Sequence, residues 1–112
     1  MSERHGRQLV LSGWTPELQA RLAAMKAVVP ERSIRSEVCA LYLVGAGVGA
    51  LAADSVVGEA CRRLNPRLRL EAPPASAPSV ALGGVELPRI DTGDPVGDGA
   101  AEAAALLEAY LK

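Results

Sequence analysis

The residues with the clearest capacity for ligand chemistry lie between Gly45 and Ala50, whose sequence GAGVGA fits the pattern G-x-G-x-x-A. Between a strand and a helix, such glycines let backbone N–H groups approach a pyrophosphate, and an acid about twenty residues later binds a ribose. Glu71 stands at that spacing. Gly45, Gly47, Ala50 and Glu71 are therefore the candidate cofactor-binding residues of a small nucleotide- or dinucleotide-binding module.

That interpretation requires particular elements around the glycines. Residues 39–44 would have to form a strand, and residues 50–64 a single long helix. The same stretch also fits a helix from Ser33 or Ser36 to Leu43, which the glycines end before a short strand at residues 51–53. A continuous apolar run of this length is compatible with either element, so periodicity leaves both interpretations open.

The remaining residues of types used in catalysis form no recognisable arrangement. His5 has no serine, cysteine or aspartate partner indicated by the sequence, which favours an exposed histidine. Cys39 and Cys61 lack the C-x-x-C spacing of a redox pair or a zinc site, and both lie among apolar residues. We therefore expect two buried structural thiols, no bound metal and no catalytic residue.

Three aspartates, Asp91, Asp94 and Asp98, lie close together in a segment rich in glycine. Carboxylates grouped in this way suggest a cation site. Their spacing lacks the central glycine and the terminal glutamate of a calcium-binding loop. A solvated loop is therefore the favoured interpretation.

Length and charge limit the class of protein. The 112 residues suffice for one modest domain with a single core. Twelve basic and 13 acidic residues give a net charge of −1, which argues against a nucleic-acid partner. No apolar run reaches the roughly 18 residues of a membrane span, and the first residues lack the apolar core of a secretory signal. We expect a cytoplasmic protein that binds no membrane.

Capping residues and periodicity predict helices and strands in alternation, and hence an α/β fold. The predicted elements are a helix at 15–26, a strand at 27–29, the ambiguous segment at 33–53, a helix from Asp54 or Ser55 to 64, a strand at 67–71, a β-hairpin at 79–87 and a helix at 100–111. Within one domain, a proline-rich connector at 72–79 separates an N-terminal α/β part at 1–71 from the hairpin and terminal helix at 80–112.

The first residues carry a resemblance to a known family. The run ERHGRQLVL at residues 3–11 contains the pattern R-x-x-R-Q, formed by Arg4, Arg7 and Gln8, and precedes a glycine, a helix and a short strand. This order resembles the opening of the ThiF/MoeB/HesA family. Its members adenylate the C-terminus of a ubiquitin-like carrier or modifier protein.

The likeness continues along the chain. Residues 40–49, ALYLVGAGVG, resemble the family's helix end LYLAxAGVG, and residues 59–70, with Leu64-Asn65-Pro66, resemble its helix that ends in x-N-P and the strand after it. The resemblance implies a reduced Rossmann-like sheet with flanking helices and a C-terminal hairpin plus helix.

Departures from the family pattern imply that the chemistry is lost. Where members carry a glycine-rich phosphate loop after the first strand, this chain has PERSIRS at residues 30–36. The family's Arg-Gln pair and lysine do not follow Asp54, and prolines at 72–78 stand where a second aspartate and, in many members, a catalytic cysteine would lie. The zinc ligands are also missing. The resemblance therefore implies a pseudoenzyme rather than an enzyme.

The expected function is that of a non-catalytic protein-binding or regulatory subunit. The resemblance implies a protein partner, namely a second copy, a full-length adenylating homologue or a ubiquitin-like carrier, and a dimeric state without a cofactor. In the family, the residue that matches Arg7 can reach across a dimer to the phosphates bound by the partner. Arg4, Arg7 and Gln8 are thus the candidate partner contacts. A nucleotide-binding module and a structural homodimer or assembly protein remain the alternatives.

Overall fold

A computed structural model describes residues 15–74 and 79–111. Its helices are α1 (Pro16–Ala24), α2 (Ile34–Ala46), α3 (Ser55–Arg62) and α4 (Pro95–Glu108). Its strands are β1 (Lys26–Val29), β2 (Ala50–Ala53), β3 (Arg69–Glu71), β4 (Ser79–Leu82) and β5 (Val85–Pro88). The predicted α/β class is confirmed, in the form of a five-stranded mixed sheet with four helices in these residues.

The sheet has the strand order β3-β2-β1-β4-β5. β1, β2 and β3 are parallel, with Ala27 opposite Leu51 and Leu51 opposite Leu70. β4 runs antiparallel to β1 and pairs Leu82 with Ala27, and β5 returns antiparallel beside β4. α2 and α3 connect parallel neighbours, and right-handed crossovers in the same direction place both helices on one face of the sheet. They contact each other there.

The core lies between the sheet and the helices α2, α3 and α4. Inward-facing residues alternate along the strands, as in Ala27 and Val29 of β1 and Val80 and Leu82 of β4, all of them buried. These helices contribute Cys39, Ala40, Leu43, Val44, Val57, Cys61, Ala103 and Leu106, and α1 adds Leu18 and Leu22 to the same core. Because these side chains are small, the helices must approach the sheet and one another closely, and α2 and α4 form the most extensive contact between elements.

α1 follows the predicted capping pattern at its start. The Thr15 hydroxyl accepts a hydrogen bond of 3.1 Å from the Leu18 N–H, and a proline occupies the first turn. The helix ends at Ala24, two residues before the predicted end. Met25 is already extended, and Lys26 begins β1 instead of ending the helix.

The segment around the glycines is where the structure differs most from the dinucleotide-binding interpretation. Residues 39–44 are helical because Ser33 caps α2, accepting a 3.1 Å hydrogen bond from the Ser36 N–H. Gly47, with a φ of 120°, ends the helix, and its N–H donates to the Val44 carbonyl at 3.0 Å. The capping residues at the two ends therefore favour a helix over a strand at residues 39–44, a choice that the apolar composition alone does not settle. The strand interpretation was wrong, and the strand-loop-helix context of a dinucleotide fingerprint is absent here.

The last glycine of the run serves a close contact. The Gly49 N–H donates to the Leu22 carbonyl at 3.3 Å, and a Cβ at this position would collide with the backbone carbonyl of Ala23. Gly49 thus packs the start of β2 against the end of α1. The glycine pattern is explained by a helix end and this contact, without a ligand.

α3 and β3 are shorter than predicted. Asp54 caps α3 by accepting a 2.9 Å hydrogen bond from the Val56 N–H, and the helix ends at Arg62. A turn through Asn65 leads to β3, of which only three residues pair with β2. Leu68 is buried and Leu70 half-buried, so the predicted inward direction of these two leucines is confirmed.

The predicted hairpin is present and its two strands belong to the same sheet as β1. α4 begins at Pro95 rather than at residue 100, because Asp94 caps it by accepting a 3.2 Å hydrogen bond from the Gly97 N–H. A segment predicted as loop is therefore the first turn of a helix. In residues 15–74 and 79–111, no helix is long and apolar enough to cross a membrane.

Candidate functional site at the carboxyl edge of the sheet

Several connections converge at the edge of the sheet where the parallel strands end. β1 leads through Pro30 into α2, and β2 leads through Asp54 into α3. β5 ends at the same edge, because two antiparallel pairings bring it back to the direction of β1, and it leads through Arg89 towards α4. Open α/β sheets commonly bind ligands at this edge. We call it the carboxyl edge and take it as the candidate site.

Arg89 is the centre of a buried polar cluster at the carboxyl edge. Its Nε and Nη2 donate to Oε2 and Oε1 of Glu102, both at 2.9 Å. Its Nη1 donates to the Pro30 carbonyl at 2.9 Å and to Ser36 Oγ at 3.1 Å. Glu102 Oε2 also accepts a 2.8 Å hydrogen bond from the Ile90 N–H. Side-chain exposure is 10% for the arginine and 0% for the glutamate, so the paired charges are almost fully desolvated.

A second ion pair joins the cluster to the loop after β1. Glu31 has a φ of 65°, in the left-handed region, and its Oε1 lies 2.6 Å from Arg35 Nη2. The other terminal nitrogen of Arg35 donates to the Ile90 carbonyl at 2.9 Å. The hydrogen bond from Arg35 lowers the pKa of Glu31 below its usual value. A carboxylate therefore stands directly after β1, where a phosphate loop would offer N–H groups.

A cavity of about 300 Å³ opens beside this ion pair, between the first turns of α2 and α4. It is lined by Glu31, Ser33, Arg35, Asp91, Gly93, Pro95 and Asp98. Three carboxylates face it against one guanidinium, and that guanidinium already binds Glu31. The cavity is therefore acidic and disfavours an anion.

The three aspartates predicted as part of a solvated loop each serve the local backbone. Asp98 is buried and accepts hydrogen bonds from the Thr92 N–H at 2.8 Å and from Thr92 Oγ1 at 2.6 Å. Asp91 accepts from the Gly93 N–H at 3.3 Å, and Asp94 caps α4. Among the described residues, no group of three potential metal ligands comes together.

Asp98 gives the protein a specific acid sensitivity. Hydrogen bonds from Thr92 lower the pKa of Asp98 below its ordinary value of 3.8. A carboxylate with a lowered folded-state pKa stabilises the fold above its unfolded pKa, and this contribution is lost as pH falls through the folded-state value. Asp98→Asn should therefore flatten the dependence of the free energy of unfolding on pH below about 4.

Urea denaturation at several pH values between 2.5 and 6, monitored by circular dichroism, measures this effect. The free energy of unfolding of a small protein typically falls by about 1–3 kcal/mol for each molar of urea. Glu59→Gln, an exposed change on α3 that breaks no hydrogen bond among the described residues, is the matched control. An Asp98→Asn variant with the same acid profile as the parent would contradict the role given to Thr92.

A second cavity, of about 350 Å³, lies farther along the carboxyl edge between α3 and the end of β3. Gly58 and Leu70 form part of its apolar floor, and Asp54, Glu59 and Glu71 stand on its rim. Glu71 is also bound to Lys26, whose Nζ lies 2.9 Å from Oε1 of the glutamate. Three carboxylates and the Ser55 hydroxyl are thus the polar side chains of this cavity, which is also acidic.

The structure separates the candidate cofactor-binding residues. Gly45 and Gly47 lie at the end of α2 and Ala50 begins β2, all at the amino end of the parallel strands. Glu71 is the last residue of β3 and therefore lies at the carboxyl end of the parallel strands, opposite to the other three residues. The four residues do not enclose a common site. Arg4, Arg7 and Gln8, and with them His5, lie outside the described residues.

The sequence interpretation missed the Arg89–Glu102 pair. Glu102 shares the buried face of α4 with Ala103 and Leu106. A lone acid on an apolar helix face signals a buried partner, because an unpaired carboxylate would be too costly to bury there. That signal was available in the sequence, although the identity of the partner was not.

Both cysteines are buried, as predicted, and neither forms a disulfide. Burial raises the pKa of the Cys39 thiol to about 12 and that of Cys61 to about 11. We expect neither thiol to react with a disulfide reagent such as DTNB in the folded chain at pH 8, and both to react after unfolding in guanidinium. Rapid modification of either cysteine in the native protein would contradict this burial.

Comparisons with protein families, with curated proteins and with solved structures find no match to this chain.

Proposed function

We propose that this chain is a non-catalytic, protein-binding subunit related to the ubiquitin-activating-like adenylating enzymes, with a reduced Rossmann-like sheet. The relationship is supported by the R-x-x-R-Q run and the ALYLVGAGVG segment. It is also supported by the parallel β1-α2-β2-α3-β3 arrangement, in which β1 lies inside the sheet next to β2.

The side chains that occupy the carboxyl edge are the observation that supports a non-catalytic function. A nucleotide phosphate there would meet the Glu31 carboxylate and the acidic cavity instead of a row of free N–H groups. The buried Arg89 directs its guanidinium into Glu102, Pro30 and Ser36, so its positive charge is already compensated inside the protein. Nucleotide binding would have to overcome both features.

Two exposed apolar residues are sequence neighbours of residues that line the same cavity, and we call them the Ile34–Val96 surface. Ile34 and Val96, in the first turns of α2 and α4, are 58% and 57% exposed. The two helices start side by side, because Gly99 of α4 packs against Arg35 and Cys39 of α2. Apolar side chains beside carboxylates suit a protein segment that offers apolar and basic residues. Such a segment is the chemistry we expect of the partner.

Two measurements test this function. Titration calorimetry with ATP and with NAD should detect no micromolar binding, and such binding of either nucleotide would overturn the proposal. Binding of a full-length adenylating homologue and of its ubiquitin-like carrier is then measured for the parent chain and for Ile34→Lys. The substitution should weaken the complex about tenfold or more, because a lysine disrupts apolar contact and repels a basic segment. Val56→Lys, at a 47% exposed position on α3, is the matched control.

The R-x-x-R-Q run makes a separate prediction, which rests on the resemblance. If Arg7 contacts phosphates bound by a partner enzyme, Arg7→Ala should lower the rate of adenylation by that partner and leave association unchanged. Adenylation assays with and without the chain measure this effect. An unchanged rate would remove the role of Arg7, whereas the Ile34–Val96 surface is tested separately by the Ile34→Lys variant.

A further inference from the structure

β3 forms one edge of the sheet, and no strand among residues 15–74 and 79–111 pairs with its outer side. The Arg69 N–H donates inwards, to the Gly49 carbonyl at 3.1 Å. Backbone groups of successive strand residues point to opposite sides, so the N–H and C=O of Leu70 point outwards. Two residues before Leu70, the outward-pointing carbonyl of Leu68 accepts hydrogen bonds from Nε and Nη2 of Arg62 at 3.4 and 3.3 Å.

We propose that two copies of this chain associate through β3, in an antiparallel pair with a two-fold axis at Leu70. In this register the two Leu70 residues face each other and exchange both N–H···O=C hydrogen bonds, as opposed residues of an antiparallel ladder do. The two sheets become one continuous sheet of ten strands. The half-buried Leu70 side chains meet across the axis on the helix-covered face.

Charge complementarity favours the second copy as the occupant of this edge. With Leu70 on the axis, Arg69 of each copy lies opposite Glu71 of the other, which gives two symmetric ion pairs. Both side chains are exposed in the single chain. Glu71 uses Oε1 for Lys26, which leaves Oε2 for the new arginine. The edge is therefore positive at one end, negative at the other, and complementary to itself.

Neighbouring residues limit the pairing to this register. A shift of the axis to residue 69 would place Arg69 opposite its own copy, and like charges directly opposite each other destabilise a sheet. Pro73 and Pro74 cannot donate to a ladder and prevent extension beyond Ala72. On the opposite sheet edge, β5 ends in Pro88 and has no such pair of opposite charges flanking an apolar residue.

Self-association through β3 uses none of the side chains of the Ile34–Val96 surface, so the two proposals can fail separately. Sedimentation equilibrium of the full chain should give a dimer, of twice the 11.6 kDa chain mass. Arg69→Glu and Glu71→Arg should each weaken the dimer about tenfold or more, because each converts two attractive pairs into repulsive ones. The double variant Arg69→Glu/Glu71→Arg exchanges the charges and should restore dimerisation.

Two further variants sharpen the result. Arg63→Glu makes the same charge change at an exposed residue after α3 and should leave the dimer intact. Leu70→Pro removes the outward N–H without touching the hydrogen bonds to β2, and should give a folded monomer by circular dichroism. A parent chain that sediments as a monomer, or a dimer that survives both single charge reversals, would overturn the proposal. Failure of the double variant to recover would overturn the register.

Discussion

Arg89→Met is expected to lower the free energy of unfolding by about 3–5 kcal/mol, because it leaves the Glu102 carboxylate buried without its countercharge. The substitution also removes the donor that satisfies the Pro30 carbonyl and Ser36 Oγ. Urea denaturation near neutral pH, with circular dichroism as the signal, measures the loss. This loss is a large part of the free energy of unfolding of a small domain, which is about 5–15 kcal/mol in total.

The double variant Arg89→Met/Glu102→Leu shows whether the loss of stability comes from the missing Arg89 contacts or from the buried, unpaired charge of Glu102. It should recover a substantial part of the stability, since well-packed apolar residues often replace a buried ion pair at little cost. The Ile90 N–H loses its Glu102 acceptor in the double variant, so recovery should be incomplete. Arg63→Met, at an exposed position, is the matched control for arginine removal. A loss below about 1 kcal/mol for Arg89→Met would show that the cluster is not energetically coupled as its geometry indicates.

Gly99→Ala is expected to destabilise the protein by about 2–3 kcal/mol, although alanine is the better helix former. A Cβ at residue 99 would lie 2.9 Å from Val38 Cβ and 3.0 Å from Cys39 N, and it would collide with the Arg35 carbonyl. α2 and α4 would have to move apart where Gly99 packs against α2. Thermal and urea denaturation measure the cost.

Gly45→Ala, the same substitution at another position of a helix, is expected to stabilise the protein instead of destabilising it. Gly45 lies in α2 with no atom within 4 Å of an added Cβ, so alanine should stabilise the helix by about 0.5–1 kcal/mol. The difference in sign isolates helix packing from helix propensity. Equal effects of the two substitutions would contradict the close approach of α2 and α4 at Gly99.

Most elements were predictable because their start signals are local. Thr15, Asp54 and the alternation of Arg67 to Glu71 identify α1, α3 and β3 from a few neighbouring residues. The segment at 39–50 was not decided by pattern alone, because a short buried strand and a buried helix share one apolar composition. Ser33 and Gly47, the two caps, contained the answer.

The start of α4 shows a different limit. Gly97 and Gly99 suggested a loop, since glycine is unfavourable inside helices. Here Gly99 is required by the contact with α2, which is a tertiary reason that no local pattern expresses. The helix consequently begins at Pro95, and its first two turns position Asp98 and Glu102 at the carboxyl edge.

The polar cluster could be predicted only in part. Ser36 and Glu102 lie on the buried faces of two helices, which indicates partners but does not name them. Arg89 binds the Pro30 carbonyl across 59 residues of sequence, a pairing that depends on β4 and β5 returning beside β1. The membership of the adenylating family and the role of Arg7 stay predictions.

The way β1 is placed also governs when the chain can fold during synthesis. β4 is one of the two strands that flank β1, and α4 is the main packing partner of α2. β1 and α2 therefore cannot complete their contacts until the last third of the chain has been synthesised. A nascent chain that ends near residue 74 would leave one edge of β1 unpaired and the α4-facing side of α2 open to solvent and to chaperones. Folding of these elements should therefore complete only after α4 has left the ribosome, with long-range contacts limiting its rate.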